Sequence, residues 1–213
     1  MRRSSETAAF CGALAPYTAI VCQALRVQFS LFGAAVAEPI LDDLDGVLLA
    51  GGHWARLGGT ARLSIVVPDS WRADALVDAF AGRGVPEVTR AVEPAQSGVS
   101  VRTAFSTALA PHAARWMRGA NEAPPPGFEL SPGGLRLWAI ASGRADDAGH
   151  VLETATAGDP LHVAAGAQLA RLGLAAVSLS QHPGWRITSV KRLRRLAELV
   201  GEPVPGAGRD WPC

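Results

Sequence analysis

At 213 residues, 48% of them hydrophobic and 18% charged, the chain can bury a sizeable core in one or two domains, and a disordered polypeptide is excluded. The formal net charge of +1 gives no global basic field, so any nucleic-acid contact must rest on a local stripe. Three cysteines, Cys11, Cys22 and Cys213, make neither a disulfide framework nor a zinc site and fit a reducing compartment.

Residues 1–37 are expected to be an N-terminal extension or targeting segment. The uncharged run 8–25 is interrupted by Pro16 and Gln23 and closed by Arg26, so it does not read as a membrane span. Arg2, Arg3, Ser4 and Ser5 before small apolar residues fit an organelle transit peptide, and Ala35-Val36-Ala37 fits a signal-peptidase site. An extended start before the real domain fits equally well. An intracellular location is the favoured expectation, the cytoplasm, or an organelle if that segment is a transit peptide.

From residue 39 the spacing predicts a helix with Ile40, Leu41, Leu44, Val47 and Leu48 on one stripe, ended by Gly51-Gly52. A strand over 61–67 follows a Gly58-Gly59 turn. Asp69-Ser70 caps a helix carrying Ala73, Leu76, Val77 and Phe80. Strands at 87–92 and 99–105 and a helix at 107–117 complete a first unit, 38–118. Residues 119–129, with three consecutive prolines, read as a linker. The plan then recurs over 130–203: a helix opened by Ser131-Pro132, a strand at 150–156, a helix opened by Asp159-Pro160, strands at 175–181 and 185–190, and a helix at 191–200. Residues 204–213 form a tail. One order written twice is the signature of an internal repeat.

Residues Leu44 to Gly52, LDGVLLAGG, resemble the nine-letter motif of the LAGLIDADG homing endonucleases, keeping its leucine, glycine, alanine and final glycine. Leu135 to Gly143, LRLWAIASG, is a weaker second copy. Leu130-Ser131-Pro132-Gly133-Gly134-Leu135-Arg136-Leu137-Trp138 is similar to the family's opening of its second motif helix. Gly184-Trp185-Arg186-Ile187-Thr188-Ser189, with Leu193, Leu196 and Leu199, resembles its closing strand and helix. The likeness spans 39–203.

The resemblance implies an α+β, homing-endonuclease-like fold: tandem αββαββα repeats forming a pseudo-twofold saddle of antiparallel strands. It implies a monomer, since the tandem supplies its own partner half. Gly46, Ala50, Ala139 and Ala141 would let the motif helices approach, and Gly52 and Gly143 would make left-handed turns into the following strands. The family's two metal-binding acids fall at Gly51 and Ser142. Neither side chain replaces a carboxylate on a divalent ion, so the resemblance implies no metal, no cofactor and no catalytic residues. Asp45 lies about 9 Å along the helix from Gly51, and Asp146 and Asp147 have no counterpart in the first unit.

What remains is a nucleic-acid face, DNA or RNA, on alternate strand residues. The candidates are Arg56, Arg62, Ser64, Arg102, Ser178, Ser180, His182, Arg186, Thr188 and Lys191. Arg62, Arg102 and Arg186 discriminate: shared on one solvent-facing surface they favour binding, whereas scattered they favour a structural or scaffold protein, such as a ribonucleoprotein component. An endonuclease with displaced acids is a third reading. Degenerate relatives in bacterial sporulation regulators carry a helix-turn-helix, which is not legible here. The basic run Lys191 to Arg195 reads as the solvated face of the last helix. His53, His112, His150, His162 and His182 show no metal-ligand spacing, and no Ser-His nucleophile pair is legible. Trp54, Trp71, Trp116, Trp138 and Trp185 read as core anchors.

Overall fold

A computed structural model describes residues 37–212 except Pro86, 94–96, Ala120 and Ala157. The expectations for residues 1–36 and for the three cysteines lie outside the described residues.

A 3-10 turn, Leu41–Leu44, runs into the short helix α1 (Asp45–Leu49). A hairpin, β1 (His53–Leu57) and β2 (Thr60–Val67), turns at Gly58-Gly59 with Gly58 at φ +58°. Then come α2 (Ser70–Ala81), β3 (Val88–Glu93), β4 (Gly98–Thr103) and α3 (Ala110–Trp116). A small hairpin, β5 (Met117–Arg118) and β6 (Asn121–Glu122), follows. The second half holds α4 (Pro132–Ser142), β7 (Gly143–Asp146), β8 (Gly149–Glu153), α5 (Pro160–Arg171), β9 (Val177–Leu179), β10 (Gly184–Ile187) and α6 (Val190–Val200). The two four-stranded sheets have the same antiparallel order, β1-β2-β4-β3 and β7-β8-β10-β9. The expected fold class is the one observed.

Several details differ from the sequence reading. β7 is not among the expected strands, because Gly143 to Asp146 carries no apolar alternation. The strand expected over 175–181 is only Val177–Leu179, since 180–183 form the turn and Pro183 has no amide to continue the ladder. Asp69 takes the N-cap position, but its carboxylate binds Arg72 instead of a helix amide. Ser131 and Asp159 do cap, accepting from Gly134 N and His162 N. Within 119–129, read as a linker, β6 pairs back onto β5, and Phe128 packs edge-on against Trp116 at 5.0 Å. The tail folds back as well: Trp211 is buried and donates its indole N–H to Gly201 O.

Helices cover one face of each sheet, and one apolar core runs through both repeats. At its centre the 3-10 turn and α1 pack against α4, and Leu44, Val47, Leu48, Leu135, Leu137 and Ile140 are buried there. Gly46 lies against the Gly134 backbone with no room for a Cβ, and Gly133 lies on the Asp43 carboxylate. That carboxylate accepts from Ser131 Oγ at 2.5 Å and pairs with Arg83 at 2.8 Å, so one buried acid ties the first turn of the first repeat to the cap of the second. Ala139 and Ala141 are buried as expected, but the glycines before them make the contact. No helix among the described residues is long and apolar enough to cross a membrane.

Asp45 is also buried, accepting from Trp116 Nε1 at 2.6 Å with Arg115 at 3.3 Å. Burial pushes its carboxyl up to about 7, against the opposing pull of Trp116 and Arg115. A raised carboxyl contributes stability that is full below its unfolded value near 4 and is lost as pH rises through about 7. Asp45→Asn keeps an acceptor for Trp116 without the buried charge. It is therefore expected to be more stable than the wild type at pH 8, by roughly 1–3 kcal/mol, with the advantage gone near pH 4. Urea unfolding at both pH values tests this; a variant weaker at pH 8 would mean that the Arg115 attraction outweighs desolvation.

Candidate nucleic-acid interface

The motif ends come first. α1 stops at Leu49, and Gly51 takes a left-handed conformation, φ +96°. Gly52 N donates to Val47 O at 2.8 Å and Gly51 N to Leu48 O at 3.0 Å, the paired bonds of a Schellman stop. The left-handed residue is thus Gly51, not Gly52. Gly52 is required for space, because a Cβ there would stand 2.8 Å from Val47 O. Gly143 is extended (φ −70°, ψ 138°) and is likewise a packing glycine, 2.6 Å from Ala139 O by the same measure. Ser142 donates to Glu153 O at 2.9 Å, beside the Trp138 indole N–H on the same oxygen.

These residues do not fit a divalent ion. Gly51 offers no ligand and a backbone that L side chains avoid, and the Ser142 hydroxyl is committed to a strand carbonyl. Asp45 is held by Trp116 and Arg115, and Asp146 by Arg186. Glu122 stands near the motif end but accepts from Trp54 N, and its carboxyl is raised by burial against that bond and the His53 charge. Among the described residues no group of three or more His, Cys, Asp or Glu side chains has a metal-binding arrangement.

The candidate contacts sort by strand parity. In the first sheet the core face holds Trp54, Leu63, Ile65 and Val101, so their neighbours face away from the helices. The register sets His53 opposite Ser64, Ser64 opposite Arg102, and Ala55 opposite Arg62 on that uncovered face. In the second sheet the core face holds His150, Leu152 and Ile187, and Arg186 and Arg144 flank Val151 on the uncovered one. Arg62, Arg102 and Arg186 therefore share the uncovered side of their sheets. Arg144 joins them, missed because its strand was missed.

Other candidates lie elsewhere. Arg56 is exposed but pairs with buried Ala61, which puts it on the helix side at a strand end. Ser64 has the right face but is only 5% exposed between His53 and Arg102. Ser178 pairs with Trp185 on the helix side, and its Oγ lies 2.9 Å from His162 Nε2. Thr154 Oγ1 sits 2.9 Å from the other ring nitrogen, and the ring stacks on Trp185. A hydroxyl there can donate or accept but carries no charge to stabilise an imidazolium, and the hydrogen-bonded chain ties β9 to α5. Ser180 and His182 are exposed in the β9–β10 turn, Thr188 is exposed just past β10, and Lys191 is exposed on the first turn of α6.

Arg62 and the second-sheet arginines have different surroundings. Arg144 pairs with Glu153 at 2.6 Å and Arg186 with Asp146 at 2.5 Å. Burial opposes the Asp146 charge, but the amides of Ala148 and Gly149 and the Arg186 guanidinium outweigh it and hold the carboxyl below its ordinary value. In the first sheet, Arg62 lies over the Phe105 ring with 4.8 Å to its centroid, and its Nε is buried without a hydrogen-bond partner. The strand expected over 99–105 includes Phe105 without a site role; the observed strand ends at Thr103, and Phe105 stands just beyond it.

No known family's sequence profile matches the chain, and no curated protein is significantly similar in sequence. Solved structures are similar in fold. The homing endonuclease I-WcaI, bound to its DNA recognition sequence, superposes with a TM-score of 0.55 at 12% identity, covering 88% of this chain and 89% of that one. The N-terminal LAGLIDADG domain of DUF199/WhiA gives 0.53 at 15% identity over 86% and 89%. Full-length DUF199/WhiA from Thermatoga maritima gives 0.56 at 14% identity over 84% of this chain, which spans only 59% of that protein. Two sheets of one strand order, two motif helices crossing at glycines and these superpositions together show that the chain has the LAGLIDADG homing-endonuclease-like fold.

Proposed function

We propose that this protein binds nucleic acid on the uncovered sheet faces and does not cut it through the two motif positions. The observation that carries the reading is the shared orientation of Arg62, Arg102, Arg144 and Arg186. Guanidinium groups on a pleated surface suit phosphate oxygens, and the DNA-bound neighbour supports the class of partner. Four arginines in a chain of net charge +1 predict modest, salt-sensitive affinity. The tandem supplies both halves of the pseudo-dimer, so a monomer is proposed as the binding unit.

Fluorescence anisotropy with labelled DNA and RNA across a salt series tests the reading. Log affinity is expected to fall with log salt at a slope between about −1 and −4, according to how many of the four arginines meet phosphate. Supercoiled plasmid should stay intact with and without Mg²⁺. Absence of binding at low salt would sink the proposal, and Mg²⁺-dependent nicking would restore an endonuclease reading.

A scaffold role is favoured by one observation. Leu57, Val66 and Val177 are exposed on the uncovered faces, and the acids beside Arg144 and Arg186 reduce the positive charge there. Loss of nucleic-acid binding with retained folding would leave that role.

A further inference from the structure

Resting on the nucleic-acid reading above, we propose that the contact is one-sided: the first sheet takes a single strand, with Arg62 and Phe105 as its base platform, and the second sheet contributes little. The argument begins with charge. A duplex laid across both sheets would bring phosphates to both. On the second, Arg144 and Arg186 each already face a carboxylate on the same surface, Glu153 and Asp146. Phosphates arriving there would have to compete with those acids for the guanidinium groups, and their repulsion cancels most of the attraction.

The first sheet offers a different chemistry. Its uncovered face sets apolar side chains around Arg62 among small polar ones: Ala55 opposite it, Val66 further along β2 past Ser64, and Leu57 two-thirds exposed at the hairpin end. Phe105 is 38% exposed and carries the Arg62 guanidinium over its ring. The bridge between Ala61 and Ser106, with hydrogen bonds of 2.9 and 3.0 Å, fixes the backbone on both sides of that pair. A rigid aromatic–guanidinium stack with aliphatic neighbours fits the flat faces of bases. Base faces are available only in a single strand, because a duplex keeps them stacked inside. The same surface offers a duplex no comparable platform.

The test uses the full chain and fluorescein-labelled 12-mers of single-stranded DNA, single-stranded RNA and duplex DNA in low salt. Single strands are expected to bind about tenfold more tightly than the duplex, and the two single-strand arms assign the sugar. Phe105→Ala should weaken single-strand binding about tenfold. Arg62→Lys, which keeps the charge and removes the planar stack, should weaken it by several-fold, with thermal unfolding of both variants unchanged within a few degrees. Arg144→Ala with Arg186→Ala should change it by less than about twofold. Tighter binding to duplex, or a larger loss from the second-sheet pair than from Phe105→Ala, overturns the one-sided contact while leaving nucleic-acid binding in place. Failure of every oligonucleotide to bind removes the reading on which it rests, and the proposal with it.

Discussion

Gly46→Ala is expected to destabilise the protein by about 3 kcal/mol or more, near the upper end for an overpacked core. A Cβ on Gly46 would overlap the carbonyl oxygen of Gly134, with the carbonyl carbon at 2.6 Å and the Cα at 3.0 Å. The obstructing atoms are backbone, so no rotamer change relieves them. The helices must move apart, and Leu44, Val47, Leu48, Leu135 and Leu137, all buried to within 1%, would lose their packing. The same substitution at Gly82 is the control, because that residue sits in the right-handed helical region with its nearest non-neighbouring atom at 3.5 Å. Gly82→Ala should lie within about 0.5 kcal/mol of the wild type. Chemical denaturation of both variants makes the comparison. A Gly46→Ala protein as stable as Gly82→Ala would show that the two motif helices do not meet at these glycines.

Arg72→Ala should cost about 3–5 kcal/mol, the usual penalty for removing one member of a buried charged network. Its side chain is 4% exposed and donates to Ile140 O at 2.8 Å and Gly143 O at 2.7 Å, both in the other repeat. Those carbonyls close the C-terminal end of α4, where a cation also complements the helix dipole. The guanidinium reaches Asp69 at 3.0 Å and Asp210 at 3.4 Å and lies over the Trp71 ring, which recruits the folded-back tail to the same point. Alanine would leave the carbonyls without donors in the core, whereas Arg72→Lys keeps the charge but cannot reach both with a fork. The melting temperature is therefore expected to fall by roughly 10 °C for alanine and by about half that for lysine. A drop of only a degree or two for alanine would mean that water or another donor takes over those carbonyls.

The fold was legible because its signals are local and repeated. Capping at Ser131 and Asp159, the Gly58-Gly59 turn and the recurrence of one element order needed only neighbouring residues. That Gly51 and Ser142 carry no carboxylate is likewise read from the sequence directly. Where local signals were weak, elements were lost: β7 has no apolar alternation, and its omission hid Arg144.

Site geometry was less legible. Period-two alternation states that Ser178 and Arg186 lie on opposite faces of their strands' neighbours only once the register is known, and the register is a tertiary property. Ser178 therefore went to the wrong face, and its hydrogen bond to His162 closes a gap of 16 residues that no spacing rule reports. The pairing of Arg186 with Asp146 spans 40 positions and sets whether that arginine can attract phosphate. The sequence by itself determined the duplicated α+β plan and the absence of the motif carboxylates, because helix stripes, caps and turns are encoded within a few residues. Only the tertiary structure decided which arginines face away from the helices, which of them meet an acid, and that Gly46 and Gly134 carry the crossing, because those facts depend on distances between residues far apart in the chain.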